Sequence, residues 1–200
     1  MKKCLIILLT ILIFFISGCE VPSYSYIKSI TLTSSGGNGE IKYLKDSISY
    51  EDEFLKLVFQ LETNRIYCSI ENKTDRNIEI DWSKAKFIFP SGNFTSILCF
   101  DPKDKPTSYR KEITPFTKMM VPPQGIVSVY LVPRDMVQSK REYDDYLNKY
   151  HTYYSIEGNF FSDFQEGVTV IGINFVANPY GLRSLTYNFT FKIEILRIEK

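Results

Sequence analysis

Leu185-Thr186-Tyr187-Asn188-Phe189-Thr190-Phe191-Lys192-Ile193-Glu194-Ile195 alternates without a break, large apolar residues at odd positions and polar ones at even positions. A repeat of two residues puts one set on the core side of a pleated strand and the other in water, the signature of a half-buried antiparallel strand. Working back toward the N-terminus, Val168–Val176 is an apolar run closed by the turn residues Asn178-Pro179-Tyr180-Gly181. Ile126–Val132 is β-branched and lies between Pro122-Pro123-Gln124-Gly125 and Pro133. Phe94–Phe100 stops at Asp101-Pro102; Ile78, Ile80 and Trp82 alternate, then Ala85, Phe87 and Phe89 lead into Pro90-Ser91-Gly92-Asn93. Ile66, Cys68 and Ile70 alternate before the turn Asn72–Asn77, and Phe54–Leu61 is another apolar run. Short strands separated by turns about ten residues apart are the rhythm of an antiparallel sandwich.

Two segments break the rhythm. Between Arg134 and Tyr150, Met136, Lys140, Tyr143, Leu147 and Tyr150 fall at spacings of three and four with charges between them, which predicts a short helix in a crossover. Lys103–Lys118, with two prolines and scattered charges, reads as a long surface loop.

The N-terminus is built differently. Met1-Lys2-Lys3 precedes an uncharged run from Cys4 to Ile16, then Ser17-Gly18-Cys19. A basic start, about a dozen apolar residues and a small-residue exit compose a secretory signal, too short to span the ~30 Å hydrocarbon layer as a permanent helix. Ile16-Ser17-Gly18-Cys19 resembles the bacterial lipoprotein signal, in which cleavage before the cysteine leaves it lipidated at the new N-terminus. That resemblance implies residues 1–18 as signal peptide and Cys19 with a diacylglyceryl thioether and an acylated amine. Each buried methylene is worth about 0.8 kcal/mol, so two or three chains make a lasting anchor. Glu20 is not the aspartate that retains some lipoproteins in the inner membrane, which tilts the expected location toward the outer membrane. Residues 19–40 then read as a lipidated, flexible, Ser- and Tyr-rich tether, although alternation through Ile30 and Leu32 also fits a first strand. Residues 41–200 form a single domain.

Asn72-Lys73-Thr74, Ile78-x-Ile80-x-Trp82, Phe87, Gly92, Pro122-Pro123-x-Gly125 and Pro133 resemble uncharacterised bacterial envelope lipoproteins with an immunoglobulin-like β-sandwich. The resemblance covers about Ile66–Pro133. It implies the fold and no activity.

Export places Cys68 and Cys99 in an oxidising compartment, where they are either a disulfide or two separate buried thiols. The chain carries 24 basic and 23 acidic residues and a formal net charge of +1, spread along the sequence. No basic stripe is available for a phosphate backbone, so a nucleic-acid partner is not expected. His151 is the one histidine, and neither a His-x-x-x-His nor a Cys-x-x-Cys spacing occurs, so no metal, cofactor or catalytic site is expected and the protein reads as non-enzymatic. Adjacent acids, Glu51-Asp52-Glu53 and Asp144-Asp145, diverge from one another whatever the local structure and read as solvated charges. Trp82 shares a face with Ile78 and Ile80 and reads as core. The surplus is aromatic: Tyr143, Tyr146, Tyr150, Tyr153 and Tyr154 are the candidate contact residues. They suit an envelope protein partner or, alternatively, a glycan or small ligand, because tyrosine offers rigid contact area with a polar tip.

Overall fold

The computed structural model describes residues 23–35, 39–44, 46–62, 64–103, 114–146, 148–156, 167–179 and 183–199. The signal segment 1–18, the lipidation position Cys19 and most of the 103–118 loop therefore lie outside the described residues.

The strands are β1 (Ser23–Ser35), β2 (Glu40–Tyr43), β3 (Ile48–Glu51), β4 (Leu55–Leu61), β5 (Ile66–Asn72), β6 (Ile78–Ile88), β7 (Phe94–Phe100), β8 (Lys118–Val121), β9 (Ile126–Pro133), β10 (Val137–Asp144), β11 (Lys149–Ile156), β12 (Gly167–Pro179) and β13 (Leu185–Glu199). Eleven belong to one antiparallel, nearly closed, barrel-like sheet in the order β1-β13-β12-β6-β7-β9-β5-β4-β3-β2, with β8 beside β6. β10 and β11 pair only with each other. β7 turns the corner of the sheet: Phe94–Ser96 pair with β6 and Ile97–Phe100 pair with β9.

Alternation translates directly into burial. In β13 Tyr187, Phe189, Phe191, Ile193 and Ile195 are all buried, and in β5 Ile66, Cys68 and Ile70 are fully so. The rings of β13 meet those of β3 and β4 across the interior, with Tyr50 and Phe59 standing 5.1 and 5.0 Å from Phe189 between centroids. Trp82 is 1% exposed and lies over Phe175 at 5.3 Å, in the core as expected. The change of phase between Ile78–Trp82 and Ala85–Phe89 is a bulge within one strand, because β12 steps from Asn174 to Val176 while β6 steps from Lys86 to Asp81. Asp81, almost wholly buried, organises that bulge by accepting from the Ser83 amide and hydroxyl and pairing with Lys84 at 3.0 Å. The Ser83 hydroxyl and the Lys84 ammonium together hold its carboxyl below the ordinary value.

Asn72-Lys73-Thr74 and Pro122-Pro123-Gln124-Gly125, far apart in the chain, meet in space. Asn72, fully buried, donates to the carbonyls of Arg76, Val121 and Pro122 and accepts from the Thr74 amide and hydroxyl. Gln124 donates to the carbonyls of Lys73 and Thr74. Gly125 is obligatory there, since a Cβ would stand 2.5 Å from the Pro122 ring. Lys73 reaches Glu51 at 2.7 Å, lowering the Glu51 pKa through that hydrogen-bonded pair. The Asn-Lys-Thr and Pro-Pro-x-Gly motifs are thus two halves of one polar knot that joins the ends of β5, β8 and β9.

Two expectations need correction. No α-helix occurs among the described residues: 134–150 is a single 3-10 turn, Arg134–Met136, followed by β10 and the start of β11. The three- and four-residue spacings lose to β-branched and aromatic content, Val137 opposite Ile156 and Tyr143 opposite Tyr150, together with a turn in which Asn148 adopts a φ of 49°. Nor is 19–40 a tether from Ser23 onward. Residues 23–35 are β1, paired antiparallel with β13 from Ser23↔Glu199 to Ser35↔Asn188, so the second reading of this stretch is the one realised.

Candidate functional site

The five tyrosines fall on the β10–β11 ribbon, and the ribbon divides into a foot and a tip. At the foot, Val137 is buried with Phe100, Tyr130 and Val132, while Met136, Tyr154 and Ile156 pack around them. This small second core covers the outer face of β5, β9 and β7, whose inner face carries Cys68, Val129 and Leu131. The Tyr154 ring sits 5.9 Å from Phe100, and Asp135 accepts a 2.8 Å hydrogen bond from Thr95 of β7 that ties the turn before β10 to the sheet. Tyr154 is therefore a packing residue.

The tip stands outside that core. From Gln138 to Tyr150 every residue whose burial is described is exposed, with Tyr146 at 94%. Tyr143 and Tyr150 face each other across the ribbon with centroids 4.9 Å apart and a tilt of 58°. Arg141 lies 4.3 Å over the Tyr150 ring, and the Tyr143 hydroxyl bonds the Asn148 side chain. Tyr153 stands opposite Lys140 in the register, and His151 opposite Glu142. The structure thus gathers Tyr143, Tyr146 and Tyr150 into one exposed group and assigns Tyr154 to the foot. Arg141 belongs with the tip group and was missed in the sequence, because only the strand register brings it beside Tyr150.

Cys68 and Cys99 are free, buried thiols. They occupy β5 and β7 with β9 between them, so their backbones are separated by two inter-strand spacings, roughly 10 Å, beyond the ~7 Å that a disulfide spans. Of the two alternatives for the pair, separate buried thiols is the arrangement present. Burial raises the pKa of both, which leaves them unreactive as nucleophiles.

Of the acids at 51–53, Glu51 and Asp52 have structural partners. One Asp52 carboxylate oxygen accepts from the amides of Phe54 and Leu55 at 2.8 Å, and the other accepts from the hydroxyls of Tyr50 at 3.2 Å and Tyr187 at 3.0 Å. Burial and the neighbouring Asp52 raise the Tyr187 pKa, so its proton stays available as a donor. Among the described residues, no three His, Cys, Asp or Glu side chains converge in a way that could hold a metal ion, and no helix is long and apolar enough to cross a membrane.

Comparison with protein-family models, with curated proteins and with solved structures returned no match.

Proposed function

We propose that this chain is a non-enzymatic module of the bacterial cell envelope, held at a membrane by lipid on Cys19, whose β10–β11 tip engages an envelope protein. The outer membrane is the favoured location. The observation that carries the partner reading is the tip itself: Tyr143, Tyr146, Tyr150 and Arg141 are exposed together on a ribbon whose foot is built into a small core. Tyrosine and arginine are the residue types enriched where protein interfaces concentrate their binding energy. Among the contact classes the glycan alternative is weaker, because a sugar stacks on a flat, open ring. Here the Tyr143 and Tyr150 rings are mutually tilted and Arg141 covers one face of Tyr150.

The anchoring half rests on Ile16-Ser17-Gly18-Cys19. The immunoglobulin-like sandwich belongs to the same proposal; it is supported by β7 pairing with a different neighbour along each half and by β13 rings packing edge-on against those of β3 and β4.

Photo-crosslinking in living cells, with p-benzoylphenylalanine at position 146 of the full-length chain, tests the contact. One recurrent covalent partner, lost when the probe is moved to the foot at position 154, is the expected result. No adduct at 146 would end the partner reading. Cys19→Ser should separately leave residues 1–18 uncleaved; normal cleavage in that variant would end the anchoring reading.

A further inference from the structure

β1 and β2 follow one another in the chain, separated only by residues 36–39, yet they do not pair. β1 bonds to β13 and β2 to β3, so they are the two free edges of the large sheet. A regular hairpin continued from Ser35 and Glu40 would bring Leu32 opposite Tyr43. Here a side chain spans that distance instead: the Tyr43 hydroxyl accepts from the Leu32 amide at 3.3 Å and donates to the Leu32 carbonyl at 3.2 Å. The hydroxyl does, with one oxygen, what a residue of a neighbouring strand would do with its N–H and C=O. The backbones stand a tyrosine side chain apart rather than at the ~4.8 Å of paired strands.

β2 ends at Tyr43, and beyond it a cavity of about 580 Å³ lies between β1 and the turn that leads into β3. Its floor is Ile48 and Phe59, both core residues, and its rim includes Ser29 and Asp46. In an antiparallel strand the N–H and C=O of one residue turn to the same side, and the pattern returns two residues along. Ile30 therefore directs its N–H and C=O the way Leu32 does, into the cavity that it lines. An apolar floor, a polar rim and a main-chain donor–acceptor pair on the wall match the two faces and the edge of an extended peptide. The Asp46 carboxylate at the mouth favours a basic residue at one end of that peptide.

We propose that this seam is a strand-addition site for an extended, alternating apolar-and-polar segment of a partner protein with a basic end. The segment pairs with the β1 edge at Ile30 and Leu32, seats an apolar side chain over Ile48 and Phe59, and displaces the Tyr43 hydroxyl from the Leu32 main chain. The site is independent of the ribbon tip.

The probe is the labelled peptide acetyl-Thr-Val-Thr-Val-Thr-Val-Lys-amide, titrated by fluorescence anisotropy into the full-length protein. Two further versions carry N-methyl groups either on the valines or on the threonines. Pairing uses one edge of the peptide, so one methylated version should lose binding and the other keep it. Tyr43→Phe, which removes the competing hydroxyl, should bind about two- to tenfold tighter, the worth of one net hydrogen bond. Ile30→Pro should bind at least tenfold more weakly. The Ile30 N–H faces away from β13, and proline is tolerated at such edge positions, so that variant should still fold; the methylated peptides make the same test without altering the protein.

Absence of binding to both wild type and Tyr43→Phe would overturn the proposal. Equal binding of the two methylated peptides would make the cavity a pocket for small apolar groups, and dimers that Ile30→Pro dissolves would make the occupant a second copy. Either result also overturns it.

Discussion

The pairs β12–β13 and β10–β11 are both continuous antiparallel ladders, but only the first is flanked by strands on both sides and loaded with buried rings. β13 lies between β1 and β12 and buries five large side chains in succession; β10 buries one, Val137, at its foot. Backbone pairing is common to both. What differs is apolar area removed from water, worth roughly 25 cal/mol per Å², and an isolated two-stranded ribbon is marginal by itself. Cohesion therefore resides in the sheet, and the exposed ribbon tip belongs to the low-stability end from which binding surfaces are drawn.

Phe189→Ala is the substitution expected to strike hardest, because its ring touches Tyr50, Phe59, Phe175 and Tyr187. A loss of about 3–5 kcal/mol in urea unfolding is expected; a loss under about 1 kcal/mol would break the assignment of cohesion to the sheet. Asn72→Ala strands three carbonyls at the polar knot and should cost about 2–4 kcal/mol by the same measurement.

Acid should act on the sheet through Glu51 and Asp81. Both carboxyls are held below their ordinary values, Glu51 by Lys73 and Asp81 by Ser83 and Lys84, so the folded state binds fewer protons than the unfolded one in that range. Their stabilisation is present above the ordinary values of 4.5 and 3.8 and is lost as pH falls through the folded values. Thermal unfolding between pH 5 and pH 2 should show the midpoint dropping, and Lys73→Met together with Lys84→Met should flatten that drop. At the tip, Tyr146→Ala should leave stability within about 0.5 kcal/mol of wild type while abolishing the crosslinked partner captured by a probe placed at position 143. The last expectation is no effect: dithiothreitol should leave the unfolding midpoint unchanged, whereas a Cys68–Cys99 disulfide would contribute about 3–4 kcal/mol.

Strands were readable wherever one face was buried. Phe94–Phe100 has the same limits in sequence and structure, and Leu185–Ile195 is the regular heart of β13. Reading failed where that contrast vanishes. The ribbon tip is wet on both faces, so no two-residue period marks it, and three- and four-residue coincidences among Met136, Lys140, Tyr143, Leu147 and Tyr150 filled the gap. β1 is an edge strand of mainly Ser, Thr and Tyr, in which Leu32 is the residue known to be fully sunk in the core, and its composition therefore imitates a linker. β8 is four residues long and owes its form to β6, beside which it lies. The candidate contact residues were legible as a tyrosine surplus, but their division into foot and tip depends on which of them reaches Phe100. The seam at Tyr43 was not legible at all, because nothing local announces that two consecutive strands will part.

Ser23 pairs with Glu199, so the first and last described strands of the chain lie side by side. Of the described strands a ribosome makes β1 first and β13 last, and no other described strand pairs with β1. During synthesis β1 must therefore wait, unpaired and hydrogen-bond-hungry, until the chain has emerged as far as β13. Closing so long a loop is slow, and a strand left waiting is open to wrong partners. A chain that stopped at Ser184 would lack β13 and, with it, the strand against which β1 settles.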